Sequence, residues 1–126
     1  LQNKLFKKQI ILEVEIILQP GDEEKLSIEV ANYDKRRLAT QPRERNPGSM
    51  FRNTPNQPAW KLIEAVGMRG MAKGQAKISE RHANFFVNTK QASAKDVLWL
   101  VEEAEKRVYE NFGIKLIREV KFVGAF

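Results

Sequence analysis

Apolar and polar residues alternate from residue 9 to residue 19, Q-I-I-L-E-V-E-I-I-L-Q, with Leu12, Val14, Ile16 and Leu18 on one side and Glu13 and Glu15 between them. A period of two predicts a strand with one wet face. Pro20-Gly21 ends it. Asp22 is then placed to cap a helix with Glu23 and Glu24 in its first turn and Lys35, Arg36 and Arg37 in its last, charges that suit the two ends of a helix dipole. This helix is expected to bury Leu26, Val30, Tyr33 and Leu38.

Residues 39–48 turn polar around Pro42 and Pro47 and predict a loop that delivers Ser49 to a short strand over 49–52. Pro58 opens a helix to Val66 whose apolar side is Trp60, Ile63 and Val66, with Gly67 beyond its end. The Gly- and Met-rich residues 68–74 predict a turn. Strands are expected over 75–78 and 84–88, the second around the β-prone Phe85, Phe86 and Val87. Ser93 with Asp96 has the spacing of a capping box and starts the longest helix, 94–112, in which Val97, Leu100, Val101, Ala104, Val108 and Phe112 share a face. Gly113 terminates it, and 115–123 alternates as a last strand, with Leu116, Arg118, Val120 and Phe122 opposite Ile117, Glu119, Lys121 and Val123. Strands at both ends with helices between them define an α+β fold, an antiparallel or mixed sheet with helices packed on one face.

A chain of 126 residues suffices for one core without metal or disulfide, and the absence of cysteine removes thiolate zinc clusters and thiol nucleophiles. No apolar run reaches membrane-spanning length and no signal peptide opens the chain, so a cytoplasmic protein with no membrane partner is expected. Charge changes the picture more. The net charge is +6, and residues 35–81 hold eleven Lys or Arg against Glu44, Glu64 and Glu80. Such a field is either solvated surface or the site of an anion, whether nucleic acid, an anionic membrane surface or a phosphorylated small molecule. The basic residues fall in loop-like sequence beside Gly and Pro, which fits a bounded phosphate site better than a nucleic-acid stripe.

The candidate chemistry is sparse. Ser49 follows a glycine and by itself reads as a turn serine; its hydroxyl becomes an acid or nucleophile only with neighbours that favour loss of the proton. Arg52 is near in sequence, although strand alternation would set it on the other face. Glu119, between Arg118 and Val120, reads as a surface carboxylate or as an acid, and Arg118 would lower its pKa. His82 is the only histidine and has no partners at metal-ligand spacing, so it is a hydrogen-bonded structural residue or a ligand contact.

Three segments, in order, carry a family resemblance: T-Q-P-R-E-R-N-P-G-S-M-F-R-N at 40–53, S-E-R-H-A-N-F-F-V-N at 79–88 and R-E-V-K-F-V-G at 118–124. They resemble the C-terminal substrate-binding domain of the UDP-N-acetylenolpyruvoylglucosamine reductases, the MurB flavoenzymes of peptidoglycan synthesis, in the shorter of the family's two types. In that family the first motif is usually Gly-Ser-x-Phe-Lys-Asn and its serine donates a proton to the enolpyruvyl carbon. The glutamate of a final Glu-Val pair assists that protonation or stabilises the enolic intermediate.

The resemblance therefore implies Ser49 and Glu119 as catalytic residues and Gln41, Arg52, Asn53 and His82 as contacts to a UDP-sugar substrate. Arg52 stands for the usual lysine and Arg118 for the usual proline. It also implies FAD and NADPH in the full-length oxidoreductase, bound by N-terminal flavin-binding domains that precede this one, and roles in cell-wall biogenesis, cell shape and division. Residues 1–8 are expected to be a remnant of the connection from that portion, with Leu1 to Phe6 in place of the usual Tyr-Arg-x-Ser-x-Phe, and 9–126 the domain itself. The isolated chain is expected to hold no flavin and to be inactive alone. The competing expectation is a non-catalytic polyanion- or nucleic-acid-binding module.

Overall fold

The computed structural model describes residues 10–124. Three helices, α1 (Glu23–Thr40), α2 (Ala59–Ala65) and α3 (Ala94–Phe112), accompany three short strands, β1 (Ala72–Lys73), β2 (Ala76–Ile78) and β3 (Phe86–Asn88). The strands form one antiparallel sheet in the order β1-β2-β3, with Lys77 opposite both Ala72 and Val87. The fold is α+β with an antiparallel sheet, the expected class, although the sheet is built from central strands and not from the two ends of the chain. Two compact units divide the chain, residues 1–32 and 33–126, and the boundary falls within α1.

The core belongs to the second unit. Ser93 and Asp96 form the expected capping box at the start of α3, each side chain accepting the other's backbone N–H at 3.1 Å, and Gly113 closes the helix in the left-handed region. Between these caps Leu100, Val101, Ala104 and Val108 are buried at helical spacing. That face packs on β1, β2 and α2. Leu62 and Ile63 of α2, Met68, Ile78 and Phe86 fill the space in front of it. At the hairpin between β1 and β2, Gly74 has φ +55°, and a Cβ there would collide with the Asp96 carboxylate. Glycine thus satisfies both the turn and the approach of the α3 cap.

A ribbon of irregular backbone completes the core. Met50 N–H donates to the Asn84 carbonyl at 2.8 Å, and the buried Asn84 side chain grips Phe51 from both sides, accepting its N–H at 2.9 Å and donating to its carbonyl at 2.7 Å. The Phe51 ring meets Phe86 edge-on, with centroids 6.1 Å apart. On the far side of this segment Arg52 N–H donates to the Ile117 carbonyl and Glu119 N–H to the Met50 carbonyl.

Several expected elements differ. Residues 10–19 form no strand, and Ile10, Leu12, Val14, Ile16 and Leu18 are all exposed; Gln9 lies outside the described residues. A strand needs a neighbour to take up its backbone groups, and among the described residues none pairs with this stretch. The helix α1 is where the caps place it, but Leu26, Val30, Tyr33 and Leu38 are exposed rather than buried. The last strand shrinks to one paired position, Arg118 opposite Phe51. Its alternation survives: Leu116 is buried and Arg118, Val120 and Phe122 half-buried, while Ile117, Glu119, Lys121 and Val123 face solvent. The turn expected over 68–74 holds β1 in its last residues, and Phe112 at the end of α3 is exposed.

Replacing Asn84 by leucine keeps the volume and strands two buried backbone groups of Phe51. At about 1–3 kcal/mol for each unsatisfied group, urea unfolding of Asn84→Leu should show a loss of at least about 2 kcal/mol with an unchanged m-value. A loss under about 0.5 kcal/mol would show that the grip is dispensable.

Candidate functional site

The ribbon brings the distant motifs together. Gly48, at φ +86°, turns the chain after Asn46, whose side-chain oxygen accepts the Gly48 N–H at 2.9 Å. Only glycine holds that backbone conformation without strain. The turn delivers Ser49 opposite Phe85, one residue before the Met50–Phe51 stretch that Asn84 grips. Met50 and Phe51 are both buried, so the segment is not a two-faced strand and the alternation argument against a shared face for Ser49 and Arg52 loses its basis.

His82 stands at the opposite bank. Its ring lies 4.8 Å from Phe85 and 6.1 Å from Trp60, centroid to centroid. Its backbone N–H and that of Arg81 both donate to the Ser79 hydroxyl, and its Nδ1 accepts the Asn84 N–H at 3.2 Å. With Nδ1 an acceptor, the neutral ring carries its proton on Nε2 as a donor. Burial lowers the His82 pKa below 6.5, and the Arg69 guanidinium lowers it further.

Arg69 is the residue that sequence reasoning missed. It forms an ion pair with Glu64 at 2.8 Å and donates to the Glu80 carbonyl, while its Nε is buried and has no partner among the described residues. The charge count over 35–81 included it, but nothing in M-R-G set it apart from ten other cations.

Glu119 enters through its backbone, with its N–H on the Met50 carbonyl and its side chain exposed. Arg118, expected to act on it, instead forks onto Glu105 of α3, with Nε and Nη2 each 2.6 Å from a carboxylate oxygen. Arg52 and Asn53 continue the Ser49 segment and line a depression of about 160 Å³ with Thr54, Pro55, Ile114, Lys115 and Ile117. The Asn53 side-chain oxygen accepts the Ala59 N–H at 3.1 Å, which caps α2 where Pro58 has no side-chain group to offer. Gln41 is half-buried and placed by α1, its N–H on the Arg37 carbonyl. Ser49 is thus paired with Phe85, whose ring His82 touches, and Glu119 is bonded through its backbone to Met50, with Arg52 and Asn53 continuing the same segment.

The helix N-termini do not fit a flavin pyrophosphate. α3 begins with the Asp96 carboxylate in its capping box, α2 with the Asn53 oxygen, and α1 with Glu23, Glu24 and an Asp22 oxygen accepting the Lys25 N–H. At α1 and α3 carboxylates repel a phosphate that would otherwise use the helix dipole, and at α2 the neutral Asn53 oxygen already takes the Ala59 N–H. Among the described residues no group of His, Cys, Asp or Glu could hold a metal, and no helix is long and apolar enough to cross a membrane.

The domain is thus a small α+β unit whose Ser49 and Glu119 segments run side by side on one irregular ribbon. The model of the UDP-N-acetylenolpyruvoylglucosamine reductase C-terminal domain matches residues 41–123, from the loop before Ser49 through the Glu119 segment, and the chain belongs to that family. A UDP-N-acetylenolpyruvoylglucosamine reductase of Carboxydothermus hydrogenoformans is 43% identical over 119 residues, covering 94% of this chain and 39% of the relative. That of Rickettsia massiliae is 38% identical over 123 residues, covering 97% of this chain and 42% of the relative. The crystal structure of UDP-N-acetylenolpyruvylglucosamine reductase (MurB) from Thermus caldophilus superposes with a TM-score of 0.64 at 39% identity, over 80% of this chain and 36% of that one. The chain thus spans about two fifths of the length of these curated relatives.

Because the folded state disfavours imidazolium at position 82, the stability tied to the neutral ring is present above about pH 6.5 and lost as the pH falls through the lower, folded pKa. His82 is the only histidine, so its Cε1–H resonance reports the titration without assignment ambiguity. The NMR midpoint should lie below about 6.5, and Arg69→Met should raise it. A midpoint above the free value, or one indifferent to Arg69, contradicts this arrangement.

Proposed function

We propose that this chain is the substrate-binding C-terminal portion of a cytoplasmic oxidoreductase that converts UDP-N-acetylglucosamine enolpyruvate to UDP-N-acetylmuramate, with FAD and NADPH bound by preceding domains. Membership of the reductase family favours a UDP-sugar over a nucleic acid as the anion that the basic middle attracts. The observation that carries the reading is the backbone register: Glu119 is bonded to Met50, the residue after Ser49, and neither Ser49 nor Glu119 is buried in the core.

Ser49 delivers the proton to the enolpyruvyl carbon, and Glu119 stabilises the enolic form or shares in that delivery. The Nε2 donor of a neutral His82, the Arg69 guanidinium and the Arg52 and Asn53 side chains provide the hydrogen bonds and positive charge that a sugar diphosphate requires. Trp60 and Phe85 beside His82 wall that region with apolar surface. The bound flavin supplies hydride; no group of this chain's described residues is assigned to hold it.

The exposed apolar residues at 10–18 and along α1 favour the same reading of the partners. An alternating strand sequence without a sheet and an amphipathic helix without a covering layer are what a domain presents to the rest of a larger polypeptide.

In the complete reductase, Ser49→Ala should leave reduction of the enzyme by NADPH nearly unchanged and slow consumption of the enolpyruvyl substrate by about 100- to 10,000-fold. Stopped-flow measurement of the two halves separately decides it. Equal slowing of both, or of neither, removes Ser49 from the role of proton donor.

Binding of UDP-sugar to this chain alone should be weak, with Kd from about millimolar to tens of micromolar at roughly 4–6 kcal/mol. The shifts should centre on Arg52, Asn53, Arg69 and His82 in an NMR titration. Tighter binding of DNA at the same residues, with a steep salt dependence, would instead favour a polyanion module.

A further inference from the structure

We propose that Arg118 is a positioning residue for Glu119, holding the segment that carries this carboxylate in register through a two-point fork on Glu105 of α3. The inference rests on the reading of Glu119 given above. Residues 115–123 do not form a strand; around the single Phe51–Arg118 pair, two backbone bonds join them to the Ser49 segment, at Ile117 and Glu119. A one-residue slip of so short a ladder would carry Glu119 about 3.3 Å along the chain direction, further than an acid acting at one carbon tolerates.

Arg118 supplies what the ladder lacks. Its Nε and Nη2 meet the two oxygens of Glu105 at 2.6 Å each, and a planar fork on a planar carboxylate fixes orientation as well as distance. The pair is sheltered, with side-chain exposures of 33% and 28%. The backbone that carries Glu105 is well anchored, because its neighbour Ala104 is fully buried and α3 is capped at both ends. The guanidinium carbon also lies 5.3 Å from the Phe122 ring centroid, so the cation ties the residues on both sides of Glu119 to one helix.

The register suggests a variant that separates stiffness from charge. Bonds flank the Phe51–Arg118 pair, made by the N–H groups of Arg52 and Glu119, so the Arg118 N–H takes no part in the ladder. Proline at 118 removes no ladder bond and restricts the chain by its fixed φ.

In the complete reductase, Arg118→Ala and Glu105→Gln should each slow consumption of the enolpyruvyl substrate about ten- to a hundredfold, with substrate Kd changed by less than about threefold. Arg118→Pro should recover most of the rate, as should the charge-swapped pair Arg118→Glu with Glu105→Arg. In a Glu119→Gln background Arg118→Ala should add no further loss, since a residue acting through Glu119 has nothing left to position. Loss with Arg118→Ala but not with Glu105→Gln, or additive loss in the Glu119→Gln background, overturns the proposal.

The two readings fail separately. A Glu119→Gln enzyme with an intact rate removes the role of Glu119. A damaged one whose rate is indifferent to Arg118→Ala removes only the positioning role. Amide hydrogen exchange at Glu119 in this chain gives an independent reading: acceleration in Arg118→Ala, reversed in the charge-swapped pair, supports the fork, and unchanged exchange overturns it.

Discussion

The segment that follows Ser49 is held in the core by one side-chain amide. Asn84 holds the backbone of Phe51 by donor and acceptor at once, 33 residues away in sequence, and both partners are almost fully buried. A backbone segment with no strand neighbour on that side would leave its N–H and carbonyl unpaired in the core, a situation folded proteins avoid. The asparagine side chain therefore substitutes for a missing strand. Since Ser49 precedes Met50 and Glu119 bonds to it, the same amide sets where both candidate catalytic groups stand. His82 is tied to the same residue by a different group, its Nδ1 accepting the Asn84 backbone N–H.

The motif H-A-N-F divides between interior and surface. The asparagine is committed to the interior, whereas the histidine is half-buried with Nε2 as its remaining donor. Asn53 combines two positions, since its side-chain oxygen caps α2 and the residue lines the depression shared with Arg52 and Lys115.

What was legible in the sequence followed local physics. The capping box at Ser93 and Asp96, the αL glycine at 113 and the 3.6-residue spacing of Leu100, Val101, Ala104 and Val108 depend on neighbours within one helix, and α3 lies where they indicate. Alternation after Leu116 likewise survives as exposure, although hardly any ladder forms. The failures are non-local. Residues 10–19 have the period of a strand, and period alone cannot say whether a partner edge exists within the described chain. The burial expected of Leu26, Val30 and Tyr33 fails for the same reason: an amphipathic helix specifies a face, and another element must cover it. Arg69 was invisible because its significance lies in an unpartnered Nε and in the field it exerts on His82, both products of packing.

The position before Glu119 shows how different residue types can solve one mechanical problem. The backbone at 118 contributes no hydrogen bond to its ladder, which frees the side chain from the demands of a sheet and leaves the residue to be chosen for stiffness. A ring that fixes φ restrains the chain from within, whereas a guanidinium restrains it from outside, provided that a rigid carboxylate stands opposite. Arg118 meets that condition only because Glu105 rides on the best-anchored helix of the domain, one residue from a fully buried alanine. The cation at this position is engaged by Glu105 through both Nε and Nη2.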